Sequence, residues 1–228
     1  MSRSRMRIQR VIDLSIAVDE HTQVYPGDPV VELHSATRIE TDGFNVLSIA
    51  LGSHTGTHVD APYHFVADGP RLGELDLGLF AGPGVIADVT GHEPRQPIVW
   101  SDIVSVSDRV GPGTILVLRT GWSEAHLRTD RYFDHPFLDP DACAQVLDRG
   151  VRTIAIDALN PDPTALHGEA AFPVHQLVLG AGGVIAENLT HLSAVQAPDP
   201  LLCMFPIRLG GDADGAPCRA VALELASD

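Results

Sequence analysis

The sequence predicts an α/β domain built on a mixed sheet. Three observations carry that expectation. A chain of 228 residues suits a single domain spanning 1–228. Short β-branched runs outnumber helical segments and intermingle with them. No GxGxxG follows a strand-like run, which argues against a dinucleotide-binding sheet.

Strands are expected at 10–18, 30–39, 44–52, 84–89, 114–119, 153–158, 184–187, 202–209 and 219–225. Three helices are expected among them. Ser101 offers an N-cap to a helix over 102–110, closed by Gly111 and Pro112. Asp139-Pro140 opens a second, running through Asp148 and Arg149, with Gly150 in place to end it. The third covers 173–179 and stops at Gly180. No repeat or low-complexity linker interrupts this order.

Composition removes several kinds of function. The formal net charge is −15 with no basic stripe, so the chain repels phosphate backbones and is not expected to bind nucleic acid. All fifteen cationic side chains are arginine. Without lysine there is no Schiff-base chemistry and no Walker A loop. No apolar run reaches the ~18 residues of a membrane helix. The basic start MSRSRMRIQR leads into VIDLSIAVDE, whose Asp13, Asp19 and Glu20 make a poor signal-peptide core. A cytoplasmic address is expected. Cys143, Cys203 and Cys218 are widely spaced, form no CxxC pair and read as core thiols.

The densest chemistry lies in SHTGTHVDAPYHF, residues 53–65. His54, His58, Asp60 and His64 are all at even positions, so a strand would point them to one side. A straight strand over ten residues spans ~33 Å, too far for one metal centre with ~2 Å bonds. A helix is disfavoured by Gly56, Thr57, Val59 and Pro62. The segment is therefore expected to curl at Gly56 and again at Ala61-Pro62, bringing its ligands together at a strand's end. Two imidazoles and a carboxylate suit Zn²⁺ or Mn²⁺ and leave positions for water. His64 could then carry a proton without ligating anything. Further donors are His175, in PVHQLVL, and Glu187, ending GVIAEN; His191 competes for the same role. His21, His34, His92, His126, His135 and His167 have loop-like settings and read as surface residues. Tyr25, Phe65 and Trp122 are candidate pocket walls, although residues of this type more often pack in a core.

HTGTHVDAPYHF resembles the HxGTHxDxPxHF signature of the metal-dependent cyclase family, which includes bacterial kynurenine formamidases and isatin hydrolases. YPGD at 25–28, RTGW at 119–122, IDALNPD at 156–162, AENLTHL at 186–192 and APCRAVALE at 216–224 fall in family order. The resemblance implies a swivelling β/β/α fold, assembled as a homodimer or larger. It implies two divalent ions per subunit: His54, His58 and Asp60 at one, with Asp60 bridging to a second completed by His175 and Glu187. The spacing favours His175 over His191. His64 becomes the general acid/base, and Tyr25 stands where formamidases place a tryptophan against the substrate. The implied activity is hydrolysis of an amide bond, an aryl formamide or a cyclic amide such as isatin, by a metal-activated water. A cyclase, dehydratase or lactone-acting enzyme of the same family is the alternative. A non-catalytic metal-binding protein is an alternative of another class. GWSEA at 121–125 approaches a serine nucleophile elbow, but alanine stands where that pattern needs glycine.

Overall fold

Thirteen strands organise the chain, here a computed structural model describing residues 6–227. They are β1 (Met6–Asp13), β2 (Glu32–Thr37), β3 (Val46–Ala50), β4 (His58–Asp60), β5 (Ala81–Asp88), β6 (Pro97–Ile98), β7 (Ile115–Arg119), β8 (Phe137–Leu138), β9 (Thr153–Ile156), β10 (Val184–Glu187), β11 (Leu201–Cys203), β12 (Gly215–Pro217) and β13 (Val221–Ser227). Nine of them form one sheet in the order β1-β13-β11-β5-β7-β9-β10-β4-β12. The central strands β5, β7, β9 and β10 run parallel, and every other pairing within this nine-stranded sheet is antiparallel. This is the mixed α/β sheet expected. The basic residues 1–5 lie outside the described residues.

The central strands are buried on both faces, which explains their unbroken apolar sequences. Their side chains sort by the two-residue period of a strand. Leu116, Leu118, Ile154, Ile156 and Ile185 point into one core, with Ala142, Cys143, Val146, Val174 and Val178. Those last five come from α4 (Pro140–Asp148) and α5 (Pro173–Gly180), which pack on each other. The shorter helical segments α1 (Ile39–Asp42), α2 (Trp100–Ile103) and α3 (Trp122–His126) precede them in the chain. Ile115, Val117, Ala155, Val184 and Ala186 point the other way, to meet Leu14, Phe80, Leu202 and Ala222. Each fully buried Leu or Ile contributes about 1.5–3 kcal/mol.

α4 starts as the sequence indicates. Asp139 accepts from the N–H groups of Asp141 and Ala142, Pro140 fills the first turn, and Gly150 adopts φ +89° beyond the end. The expected helix at 102–110 does not form. A four-residue turn, Trp100–Ile103, passes into a 3₁₀ segment, Val104–Arg109. Its cap is Asp102, whose carboxylate accepts from Val99 N–H, and not Ser101. The run 202–209 is a strand only to Cys203, because Pro206 has no N–H to continue a ladder. The runs 30–39 and 44–52 do pair, but as a separate hairpin, β2–β3, outside the main sheet. The short helix Trp122–His126 had no sequence forecast.

Candidate metal centre

Sheet register builds the cluster. β4 lies antiparallel between β10 and β12, with His58 opposite Glu187 and Asp60 opposite Ile185. Val59, between them, enters the second core. His58 and Asp60 therefore share the pleat face of Glu187, the face that α5 covers. Direct cross-strand partners hold Cβ atoms about 4.5–5.5 Å apart, close enough for their side chains to meet one ion. His175, in the first turns of α5, closes the group from above.

The bends anticipated at Gly56 and Pro62 are present. Gly56 has φ +64°, and a Cβ there would stand 2.7 Å from Val18 Cγ2. That turn folds His54 back until its Nδ1 is 2.7 Å from Asp60 Oδ1. Thr57 pins the turn, accepting from Ile16 N–H and donating to the Asn188 carbonyl. A 3₁₀ turn, Pro62–His64, returns His64 to the same side, where its ring stacks 3.9 Å from that of His54.

Each carboxylate presents one oxygen to each of two histidines. Glu187 Oε2 lies 3.3 Å from His58 Nε2, and its Oε1 lies 3.2 Å from His175 Nε2. Asp60 Oδ1 lies 3.3 Å from His58 Nε2, and its Oδ2 lies 3.5 Å from His175 Nε2. The outer ring nitrogens are engaged: His58 Nδ1–H donates to the Gly56 carbonyl, and His175 Nδ1–H to Asp162. This leaves Nε2 of both rings facing inward. Three buried inward atoms, His58 Nε2, Asp60 Oδ2 and Glu187 Oε1, have no hydrogen-bond partner. Burying such atoms unpaired costs several kcal/mol, and a divalent cation is the partner that nitrogen and carboxylate lone pairs share. The donors thus fit a metal, grouped as His54–His58–Asp60 and as Asp60–His175–Glu187.

The charges are mutually dependent. Burial pushes the imidazolium of His54 down, but Asp60 and Asp214 raise its pKa to about 9. Burial likewise opposes charge on His58, yet the adjacent carboxylates of Asp60 and Glu187 raise its pKa to about 10. Desolvation works against the Asp60 carboxylate, and the surrounding imidazoles hold it well below the usual range.

A cavity of about 420 Å³ opens beside the cluster, with Tyr25, Phe65 and Phe172 as its aromatic wall and His64 on its rim. The ring centroids of Phe172 lie 5.7 Å from Tyr25 and 5.2 Å from Phe65. The cyclase family model matches residues 12–163, which include the whole 53–65 stretch.

The chain belongs to the cyclase family.

Among relatives of this cyclase-family chain is the kynurenine formamidase of Geobacillus thermodenitrificans, 32% identical over 94% of this chain and 97% of the relative. Isatin hydrolase A from Labrenzia aggregata shares the fold, with a TM-score of 0.84 over 94% of this chain and 93% of the other, at 23% identity. A predicted metal-dependent hydrolase from Bacillus stearothermophilus superposes with a TM-score of 0.76, at 25% identity, over 96% and 99% of the two chains.

The structure brings His54, His58, Asp60, His175 and Glu187 into one cluster, and sets His64 and Tyr25 on the cavity beside it. His191 is elsewhere: its ring meets the Asp13 carbonyl at the surface. Three expectations are corrected, those for His135, for His92 and His126, and for Cys203 and Cys218. His135 is buried, not superficial, with its ring held between the Pro136 carbonyl and the Thr164 hydroxyl. His92 and His126 are half-buried. Trp122, weighed between pocket wall and core, belongs to the core, its indole N–H donating to the Tyr132 carbonyl. Cys143 is a core thiol as expected, whereas Cys203 and Cys218 are only half-buried. Ser123 has a buried hydroxyl bonded to no histidine, so GWSEA is no nucleophile elbow. Three residues at the cluster had no forecast role. Asp162 lies in the IDALNPD run, but neither Asp214 nor Phe172 carried any local signal.

Proposed function

We propose that the chain hydrolyses a carbon–nitrogen amide bond in a small aromatic substrate, an aryl formamide or a cyclic amide such as isatin, with two divalent ions, Zn²⁺ or Mn²⁺, per subunit. The observation that carries this reading is the double-sided presentation of both carboxylates between His58 and His175. His54, His58 and Asp60 would hold one ion; Asp60, His175 and Glu187 would hold the other. Divalent ions there supply a water acidified to near neutrality and a polarised carbonyl oxygen. The chain's own groups do the rest. Phe65, Phe172 and Tyr25 take the flat ring of the substrate and exclude bulk water. His64, on the rim, delivers a proton to the leaving nitrogen. The relatives named as amide hydrolases favour this over a cyclase, dehydratase or lactone-acting role and over simple metal storage.

The test joins metal analysis to a panel of aryl formamides, cyclic amides and lactones. Chelation should abolish turnover, and Zn²⁺ or Mn²⁺ should restore it. His64→Ala should lose activity while retaining metal, and Asp60→Ala should lose both. Turnover that survives full chelation, or a parental rate in His64→Ala, would sink the reading.

The proposed enzyme self-assembles, as a homodimer or a higher homo-oligomer. The β2–β3 hairpin exposes Phe44, Leu47 and Ile49, and a two-stranded hairpin alone is marginal in water. A second copy covering it satisfies both facts, and sedimentation at the mass of one chain would contradict this. A cytoplasmic address suits the three free thiols. No helix among the described residues is long and apolar enough to cross a membrane.

A further inference from the structure

Asp214 precedes the edge strand β12, and its backbone carbonyl accepts from Ala61 N–H at 2.8 Å. The next residue, Gly215, pairs with Asp60. Asp214 is therefore placed by the ladder that places Asp60. Its side chain reaches His54 and His64, at ring nitrogens that the carboxylates of Asp60 and Glu187 do not engage. Oδ2 lies 3.1 Å from His54 Nε2 and 3.3 Å from His64 Nδ1. The approach is tight: a Cβ on Gly215 would stand 2.8 Å from His54 Cε1 and 2.7 Å from the Val59 carbonyl oxygen. Glycine at 215 is what allows the aspartate to close on both rings.

The His64 ring is thereby bounded on three sides. His54 stacks on one face, Phe65 packs edge-on at 4.7 Å, and Asp214 takes Nδ1. Without those neighbours a histidine on so short a turn could rotate about χ1 and χ2. We propose that Asp214 is the positioning residue of the acid/base histidine: it accepts a hydrogen bond from His64 Nδ1–H, fixing the ring and tautomer so that Nε2 is the atom exchanging a proton with substrate. This rests on the reading of His64 as acid/base. It adds a residue 150 positions away in sequence, joined to that histidine through the β4–β12 pairing. A carboxylate behind a catalytic imidazole sets its tautomer without itself taking the proton.

Asp214 also touches His54, so the experiment must separate the two contacts. Asp214→Asn, Asp214→Glu and His64→Ala are made singly, and Asp214→Asn is combined with His64→Ala. Each metal-loaded enzyme is assayed for kcat, KM and metal content on one aryl formamide. Asp214→Asn should lower kcat about 10- to 100-fold, with KM and metal content within about twofold of the parent. Asp214→Glu, which keeps the acceptor charge, should recover part of the loss. In the His64→Ala background the same Asp214→Asn change should cost less than about twofold, because its target is gone. An equal loss in both backgrounds, or loss of metal from Asp214→Asn, would show the carboxylate acting through His54 and overturn the proposal. A parental kcat in His64→Ala alone would remove the acid/base reading, and the proposal with it. That result is distinct from an equal loss in both backgrounds.

Discussion

Asp162 makes the most exacting prediction. It is fully buried and accepts three hydrogen bonds: Oδ1 from Val174 N–H at 2.9 Å, and Oδ2 from His175 N–H at 3.0 Å and His175 Nδ1–H at 2.7 Å. It therefore caps α5 from outside the helix and orients the His175 imidazole with the same oxygen pair. Asp162→Ala leaves two backbone donors unpaired in the interior, at about 1–3 kcal/mol each. Loss of negative charge at a helix N-terminus adds about 0.3–1 kcal/mol. The sum, about 2–7 kcal/mol, is comparable with the ~5–15 kcal/mol that stabilises a domain. Loss of the Nδ1 partner should weaken metal binding about 10- to 100-fold. Asp162→Asn differs in kind. Its amide oxygen can serve both His175 donors only if its NH₂ faces Val174 N–H. One bond is lost, at about 1–3 kcal/mol, but His175 stays oriented. Urea unfolding of the metal-free protein gives the first quantity, and calorimetric titration with Zn²⁺ or Mn²⁺ gives the second. Asparagine should cost stability with less than about tenfold in affinity, and alanine should cost both. Equal affinities for the parent and Asp162→Ala would refute the claim that this aspartate orients the ligand.

Metal binding should release protons. His54 and His58, raised to about 9 and about 10, carry protons at pH 7 when no ion competes. Zn²⁺ calorimetry in buffers of different ionisation enthalpy should count them, affinity should rise from pH 6 to 8, and buffer-independent heats would contradict this. Because both folded values lie above the unfolded 6.5, their stabilisation of the metal-free protein is complete below about pH 6.5 and is lost as pH rises through 9 and 10. His135 has the opposite sign: burial lowers its pKa, with the Pro136 carbonyl opposing only in part. Its contribution is present above pH 6.5 and lost as pH falls below that value, so His135→Gln should flatten the change in urea midpoint between pH 7.5 and 5.5; an unchanged slope would exclude His135 as the source. Tyr25 has a buried hydroxyl without a partner. Tyr25→Phe should leave the metal-free protein as stable or about 1 kcal/mol more stable. KM for an aryl formamide should rise about 5- to 10-fold, the worth of one hydrogen bond to substrate; an unchanged KM would place the substrate away from that hydroxyl.

The central strands were legible because burial on both faces demands unbroken apolar sequence, and 114–119, 153–158 and 184–187 supply it. α4 was legible because Asp139, Pro140 and Gly150 are local signals that act within one turn. Legibility stops where the neighbours decide. His-Val-Asp has one apolar residue in three, and Gly-Ala-Pro has little strand propensity, yet β4 is a strand because β10 offers it an edge, and β12 because β4 offers the next. Pro217 is tolerated because β12 is the last strand in the sheet. At 102–110 the reverse occurred. A Val- and Ser-rich segment with a plausible cap failed as an α-helix, because its β-branched residues gain little from helical geometry and Asp102 caps a tighter turn.

The cluster divides along the same line. Spacing within 53–65 exposes His54, His58, Asp60 and His64, since all four belong to one short piece of chain. The sequence also shows a glutamate ending an apolar strand, but not that Glu187 stands opposite His58. That fact lies in the register of two strands more than 120 residues apart, and a slip of one residue would send Glu187 to the other face of the sheet. Asp162 and Asp214 are further from view, because each acts on an imidazole through the far ring nitrogen and has no spacing to obey. Their positions are nonetheless constrained by physics. An imidazole that gives one nitrogen to a metal or a substrate must place the other against an acceptor, or leave a buried N–H unpaired. His58 uses the Gly56 carbonyl, His175 uses Asp162, and His54 and His64 share Asp214. Counting ring nitrogens therefore anticipates acceptors behind the histidines that the motif names, while the fold alone decides which parts of the chain provide them.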